Sequence, residues 1–143
     1  EQLLFESETP KIPASWSPDG RFLVFWNYEG GGSAQQWVLP LTGNRVPTRL
    51  LNSRGYDGHS QISPDGRWIA YMSSTSGRIE IYVRPFPSGE GTWQISKSGG
   101  LTPRWRHDGK EIYYLNGVST THESTLYRNG SKWTSLSLPG DPE

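Results

Sequence analysis

Cysteine is absent from this 143-residue chain, so neither a disulfide framework nor a thiolate metal centre can hold it together, and the redox compartment stays open. Long apolar runs are absent as well. Nothing approaches the roughly 18 consecutive apolar residues that span a bilayer, and no charged stub precedes an apolar segment of signal type. Charge of one sign is also lacking: Lys plus Arg and Asp plus Glu are 14 each, which leaves no electrostatic footprint for nucleic acid or an anionic membrane. Neither is expected as a partner. A 3.6-residue apolar period never persists for a dozen residues, so almost no helix is predicted. Hydrophobic residues are scarce at 32%, yet seven Trp, seven Tyr and four Phe make that fraction bulky enough to fill thin cores between stacked sheets.

What is present is a repeat. Ser17-Pro18-Asp19-Gly20 recurs as Ser63-Pro64-Asp65-Gly66 and, degraded, as Arg106-His107-Asp108-Gly109, at steps of 46 and 43 residues. A bulky residue precedes each copy (Trp16, Ile62, Trp105) and an apolar strand follows, beginning near Phe22, Trp68 and Ile112. Pro presets φ, Asp bonds the backbone two residues on, and Gly takes the left-handed conformation that closes a hairpin. Gln36 to Leu41 and Ile81 to Phe86 then read as third strands, Thr48 to Leu51 and Thr92 to Ser96 as fourth strands. In the last repeat, Leu126 to Arg128 and Lys132 to Leu136 flank the hairpin signal Asn129-Gly130. Four short strands per unit of about 45 residues predict an all-β chain of β-propeller blades.

The strings WSPDGRFLVFW, ISPDGRWIAYMSSTSGRIEIYVRPFPSGEGTWQIS and PRWRHDGKEIYYL resemble the TolB-like propeller repeat, a relative of WD-type repeats, and especially propellers appended to bacterial serine/threonine kinases. The resemblance covers residues 10 to 115 and departs from the pattern from Asn116 on. It implies residues 10–54 as a first blade, 55–98 as a second and 99–143 as a third, atypical from 116. Residues 1–9, with Leu3 to Ser7 at their centre, are expected as the outer strand of a preceding or closing blade. Three blades cannot close a ring, since their two end faces would leave apolar surface wet. Two copies give six, so a homodimer is the expected closure. The compartment expected is the bacterial cytoplasm or an extracytoplasmic space such as the periplasm.

Propeller ligands sit at one mouth of the central channel, where the loops leading into the innermost strands are residues 9–15, 56–61 and 99–104. Alignment sets Pro13, His59 and Thr102 at one level and Ser15, Gln61 and Arg104 two residues on, a spacing that shares one strand face. His59, Gln61, Arg104 and Asp57 are therefore the candidate ligand-binding residues. His59 is the candidate catalytic group, set between Asp57 and Ser60, and His59 with Asp57 could bind a divalent metal, although no cofactor is expected. The bland readings are an Asx-type turn with an exposed imidazole and side chains that merely fill a hydrated channel. Asp19, Asp65 and Asp108 read as turn caps, Glu29 to Ser33 as a flexible hairpin without a phosphate-loop ending, and Asn129-Gly130-Ser131 as a turn rather than a glycosylation site. His107 is expected at the opposite rim, and His122 supports no argument. Trp16 and Trp105 read as inter-blade packing; Trp26, Trp37 and Trp93 are core positions with sugar stacking as the alternative.

The function expected is a non-catalytic binding scaffold whose channel mouth holds a peptide, a protein or a small anionic ligand. The rival is a metal-assisted hydrolase acting on an ester or phosphoester in the dimer channel, as lactone- and phosphotriester-cleaving propellers do. A third reading is a propeller fragment or designed assembly model.

Overall fold

The computed structural model describes residues 3–28, 33–53 and 55–116, with the backbone of 125–128. The glycine-rich stretch 29–32, His122, the Asn129-Gly130-Ser131 turn and the expected strand at 132–136 lie outside the described residues.

Each turn motif is wired as its residue types require. Ser17 Oγ accepts the Phe22 N–H at 2.9 Å and donates to Asp19 Oδ1 at 2.6 Å, while Asp19 accepts the Arg21 N–H at 3.0 Å. Ser63, Asp65 and Arg67 repeat this network. Where Arg106 replaces the serine, its guanidinium instead pairs with Asp108 and with Glu111. Gly20, Gly66 and Gly109 all lie in the left-handed region, at φ of 70°, 75° and 73°, where a side chain would be strained.

These turns join antiparallel strands into three meanders. The first sheet is β1 (Lys11–Trp16), β2 (Phe22–Tyr28), β3 (Ala34–Pro40) and β4 (Thr48–Arg49) in that order. The second is β5 (Asp57–Ile62), β6 (Trp68–Ser73), β7 (Glu80–Pro85) and β8 (Trp93–Gln94). The third, among the described residues, is β9 (Leu101–Trp105), β10 (Ile112–Asn116) and β11 (Thr125–Arg128). No helix occurs among the described residues. β1 packs beside β5 and β5 beside β9, so the leading strands of the three sheets are neighbours.

Period-two alternation builds the cores between sheets. Ile69, Tyr71 and Tyr82 face the first sheet and pack with Val24, Val38, Leu50 and Leu51. The intervening Ala70 and Val83 face the third sheet and pack with Trp105 and Ile112. Each sheet is therefore cemented to the next by its opposite face.

One expectation needs correction. The fourth strands are shorter than predicted: pairing ends at Arg49 and Gln94, with one further backbone bond each from Leu50 to Gln36 and from Ile95 to Ile81. Beyond that the chain must leave the sheet edge to cross over the next sheet. Leu3 to Ser7, expected as the outer strand of a preceding or closing blade, pairs with no strand within this chain and lies over the outer face of the first sheet, where Phe5 meets Phe25 at 6.2 Å between ring centroids. Leu4 and Phe5 lie on Leu23, Phe25 and Leu39 much as Leu50 and Leu51 lie on the second sheet. The difference is cover: Leu50 and Leu51 are buried, Leu4 and Phe5 are exposed.

Candidate functional site

The innermost strands carry a register shift at one repeated place. It falls between Pro13 and Ser15 in β1, between Gly58 and Gln61 in β5, and opposite Tyr113 to Leu115 in β9. In β5 and β9 the shift is made by non-glycine residues at positive φ, His59 at 46° and Thr102 at 47°. Such conformations persist only where their surroundings enforce them, and a bulge re-aims the side chains around it.

Alternation is thus broken where the site was expected. His59 is half-buried, with its ring 5.5 Å from that of Trp26. Trp26 in turn meets Tyr56 at 6.3 Å and Tyr28 at 6.2 Å. Burial pushes the His59 imidazole below its ordinary value, and the positive charge of Arg104 pushes it the same way. Arg104 thus bears electrostatically on His59, which packs on Trp26 with Tyr28 and Tyr56 beside it. Trp26 and Tyr28 belong to β2 and reach the site only through packing between sheets, a link that repeat alignment does not carry.

Gln61 and Asp57 are placed elsewhere. The Gln61 carboxamide turns into the seam between sheets: its Oε1 accepts the Trp105 backbone N–H at 2.6 Å, and its carbonyl accepts the Trp105 indole N–H at 2.9 Å. Ser15 does the same one repeat earlier, its hydroxyl accepting the Ile62 N–H at 2.9 Å. Asp57 is wholly buried beside a cavity of about 350 Å³ lined by Tyr71, Ser73 and Arg84 among others. Burial raises its pKa, opposed by hydrogen bonds from the Ser53 and Ser73 hydroxyls. Asp57 takes its bond from Ser53 rather than from His59, and the buried Ser60 hydroxyl has no partner, so the three make no nucleophilic triad. Among the described residues no three His, Asp or Glu converge on a point that could hold a metal ion. His107 sits in the turn after β9, at the far end of that strand from Thr102.

Burial and a neighbouring cation both favour the neutral imidazole of His59. Its NMR titration is expected to show a midpoint below about 6.5, the unperturbed value. Arg104→Ala should raise that midpoint only in part, because burial, the larger cause, remains. A midpoint above the unperturbed value would contradict the placement.

No protein-family model matches the chain. Over 83 residues, 57% of this chain, it is 35% identical to the Tol-Pal system protein TolB of Francisella tularensis, of which it covers 19%. It thus spans about a fifth of the length of the curated relatives it matches. The TolB crystal structure from Acinetobacter baumannii superposes with a TM-score of 0.73 at 22% identity, over 89% of this chain and 31% of that one. A puromycin-hydrolyzing peptidase of Mycobacterium tuberculosis superposes with a TM-score of 0.72 at 16% identity, over 96% of this chain and 23% of that one. At those identities the two structures speak for the fold alone.

Proposed function

From a chain of TolB-like β-propeller repeats, we propose a non-catalytic scaffold that binds a protein or peptide partner through an anionic group at the channel mouth. One observation supports this reading: Arg104 bears electrostatically on His59, which packs on Trp26 with Tyr28 and Tyr56 beside it. Arg104 is exposed and offers a planar fork suited to carboxylate or phosphate. The aromatic rings add amphipathic contact area at little entropic cost. These groups hold and orient; Asp57, which could activate a nucleophile, is bound by Ser53 instead, and the Ser60 hydroxyl is buried. Closure of the blades into a six-bladed ring by two copies would set two such mouths around one axis. The setting proposed is the bacterial cytoplasm or periplasm; no helix of the described residues is long and apolar enough to cross a membrane.

Calorimetric titration with peptides ending in a carboxylate or carrying a phosphate tests this. Arg104→Ala is expected to weaken binding on the order of 10- to 100-fold, the usual worth of a hydrogen bond to a charged group. His59→Ala should weaken it less. Unchanged affinity in both variants would remove the channel mouth as the site. Ester or phosphoester turnover by the wild-type chain that chelation abolishes would replace the scaffold by a metal-assisted hydrolase.

A further inference from the structure

The second sheet carries a cavity that shares no residue with the channel mouth. Its volume is about 350 Å³, within the usual range of small-molecule sites, and it lies between that sheet and the crossover residues Leu51, Asn52 and Ser53. Asp57, Tyr71, Ser73 and Tyr82 form a buried floor, while Asn52, Thr75 and Thr92 form an exposed rim. Every lining residue falls between Leu51 and Thr92, so one sheet of this chain and the segments framing it build the whole cavity.

Two of its charged groups keep bonding capacity. Asp57 is fully buried; its Oδ2 takes the Ser53 hydroxyl, while Oδ1 is buried with no partner at hydrogen-bond geometry. Arg84 donates from one terminal nitrogen to the Leu50 carbonyl at 2.8 Å and from the other to the Gly89 carbonyl at 3.1 Å, which leaves a buried Nε without a partner. Buried polar atoms of this kind are costly until something bonds them. Register sets the two ends apart: Asp57 opposes Ser73 in β6, and Arg84 opposes Ile69, four residues along the same strand and about 13 Å away at the backbone. Between them stand Tyr71 and Tyr82, a cross-strand pair whose rings stack at 5.9 Å.

We infer that this cavity binds a small neutral polyol of monosaccharide size, its hydroxyls donating to Asp57 Oδ1 at one end and accepting from Arg84 Nε at the other. A lone anion would be opposed by Asp57, and a lone cation by Arg84 and by Arg49, whose charge bears on Asp57. An amino-acid zwitterion answers both charges, but its carboxylate calls for the guanidinium fork, and both terminal nitrogens are engaged. A single N–H suits a hydroxyl. One ion or water does not bridge two groups set so far apart, whereas a ring with hydroxyls on opposite sides does. Ser73, Thr75 and Thr92 add hydroxyls that both donate and accept, and the tyrosine rings offer an apolar body to the C–H face of a sugar.

Titration of the full chain with D-glucose, D-mannose and myo-inositol, followed by NMR, tests the assignment. At least one is expected to bind with a dissociation constant on the order of millimolar, the scale for a ligand of about a dozen heavy atoms. The resonances that move should be those of Tyr71, Ser73, Tyr82 and Thr92. Asp57→Asn keeps the shape of the side chain and an acceptor for Ser53 but removes the charge, and should weaken binding about tenfold. Asn52→Trp sets a bulky ring at the exposed rim and should weaken it at least as much, with circular dichroism as the check on folding of both variants. The resonance map comes from the unaltered chain, so it decides the matter even where Asp57→Asn does not fold. Sodium acetate, ammonium chloride and calcium chloride are expected to leave those resonances in place. Absence of any shift at about 100 mM polyol would make the cavity a hydrated gap and overturn the proposal. Shifts that map to other residues, or a stronger response to calcium or acetate, would overturn it as well.

Discussion

Trp105→Ala is expected to destabilise the fold by about 4 kcal/mol, the range for a buried Trp or Phe cut to Ala. The indole packs with Ala70, Val83 and Ile112 between the second and third sheets and also caps the Gln61 carbonyl. Truncation opens a cavity in a core only two side chains deep and leaves that carbonyl without its donor. Since domains of this size have net stabilities of about 5–15 kcal/mol, the variant should lose a large share of that margin and melt well below the wild type. Trp105→Phe separates the two contributions. It refills most of the volume and should cost about 1–2 kcal/mol, chiefly the lost hydrogen bond. Urea unfolding followed by far-ultraviolet circular dichroism measures both. A loss below about 1 kcal/mol for Trp105→Ala would mean that the third sheet is not held through this seam.

Much of this architecture could be read before any coordinates. The recurrence of Asp19, Asp65 and Asp108 with their glycines fixed the turns, because each residue type has a separate conformational task that few substitutes perform. The apolar strands that follow each turn, beginning near Phe22, Trp68 and Ile112, were likewise legible. The candidate site was legible only in part. Arg104 bears on His59 electrostatically, but equal spacing on a strand assumes an unbroken pleat. The bulges at His59 and Thr102 break it with no glycine to signal the positive φ. As a result Gln61 turned into the seam and Asp57 into an inter-sheet cavity. Trp26 and Tyr56 were missed as site members because the contacts that assemble them lie between sheets and have no local pattern.

The uncovered first sheet leads to the expectation with the widest consequence. An exposed Trp16 beside Leu4 and Phe5 forms an apolar face that its own repeat equivalents bury everywhere else. Burying it removes aromatic and aliphatic surface from water at roughly 25 cal/mol per Å², which favours association over a wet end face. In the proposed closure, two copies of these repeats would bury such faces at once. Light scattering of the full chain at micromolar concentration tests this most directly. The account predicts a mass twice that of the 16.1 kDa chain. A stable, folded monomer under those conditions would contradict it.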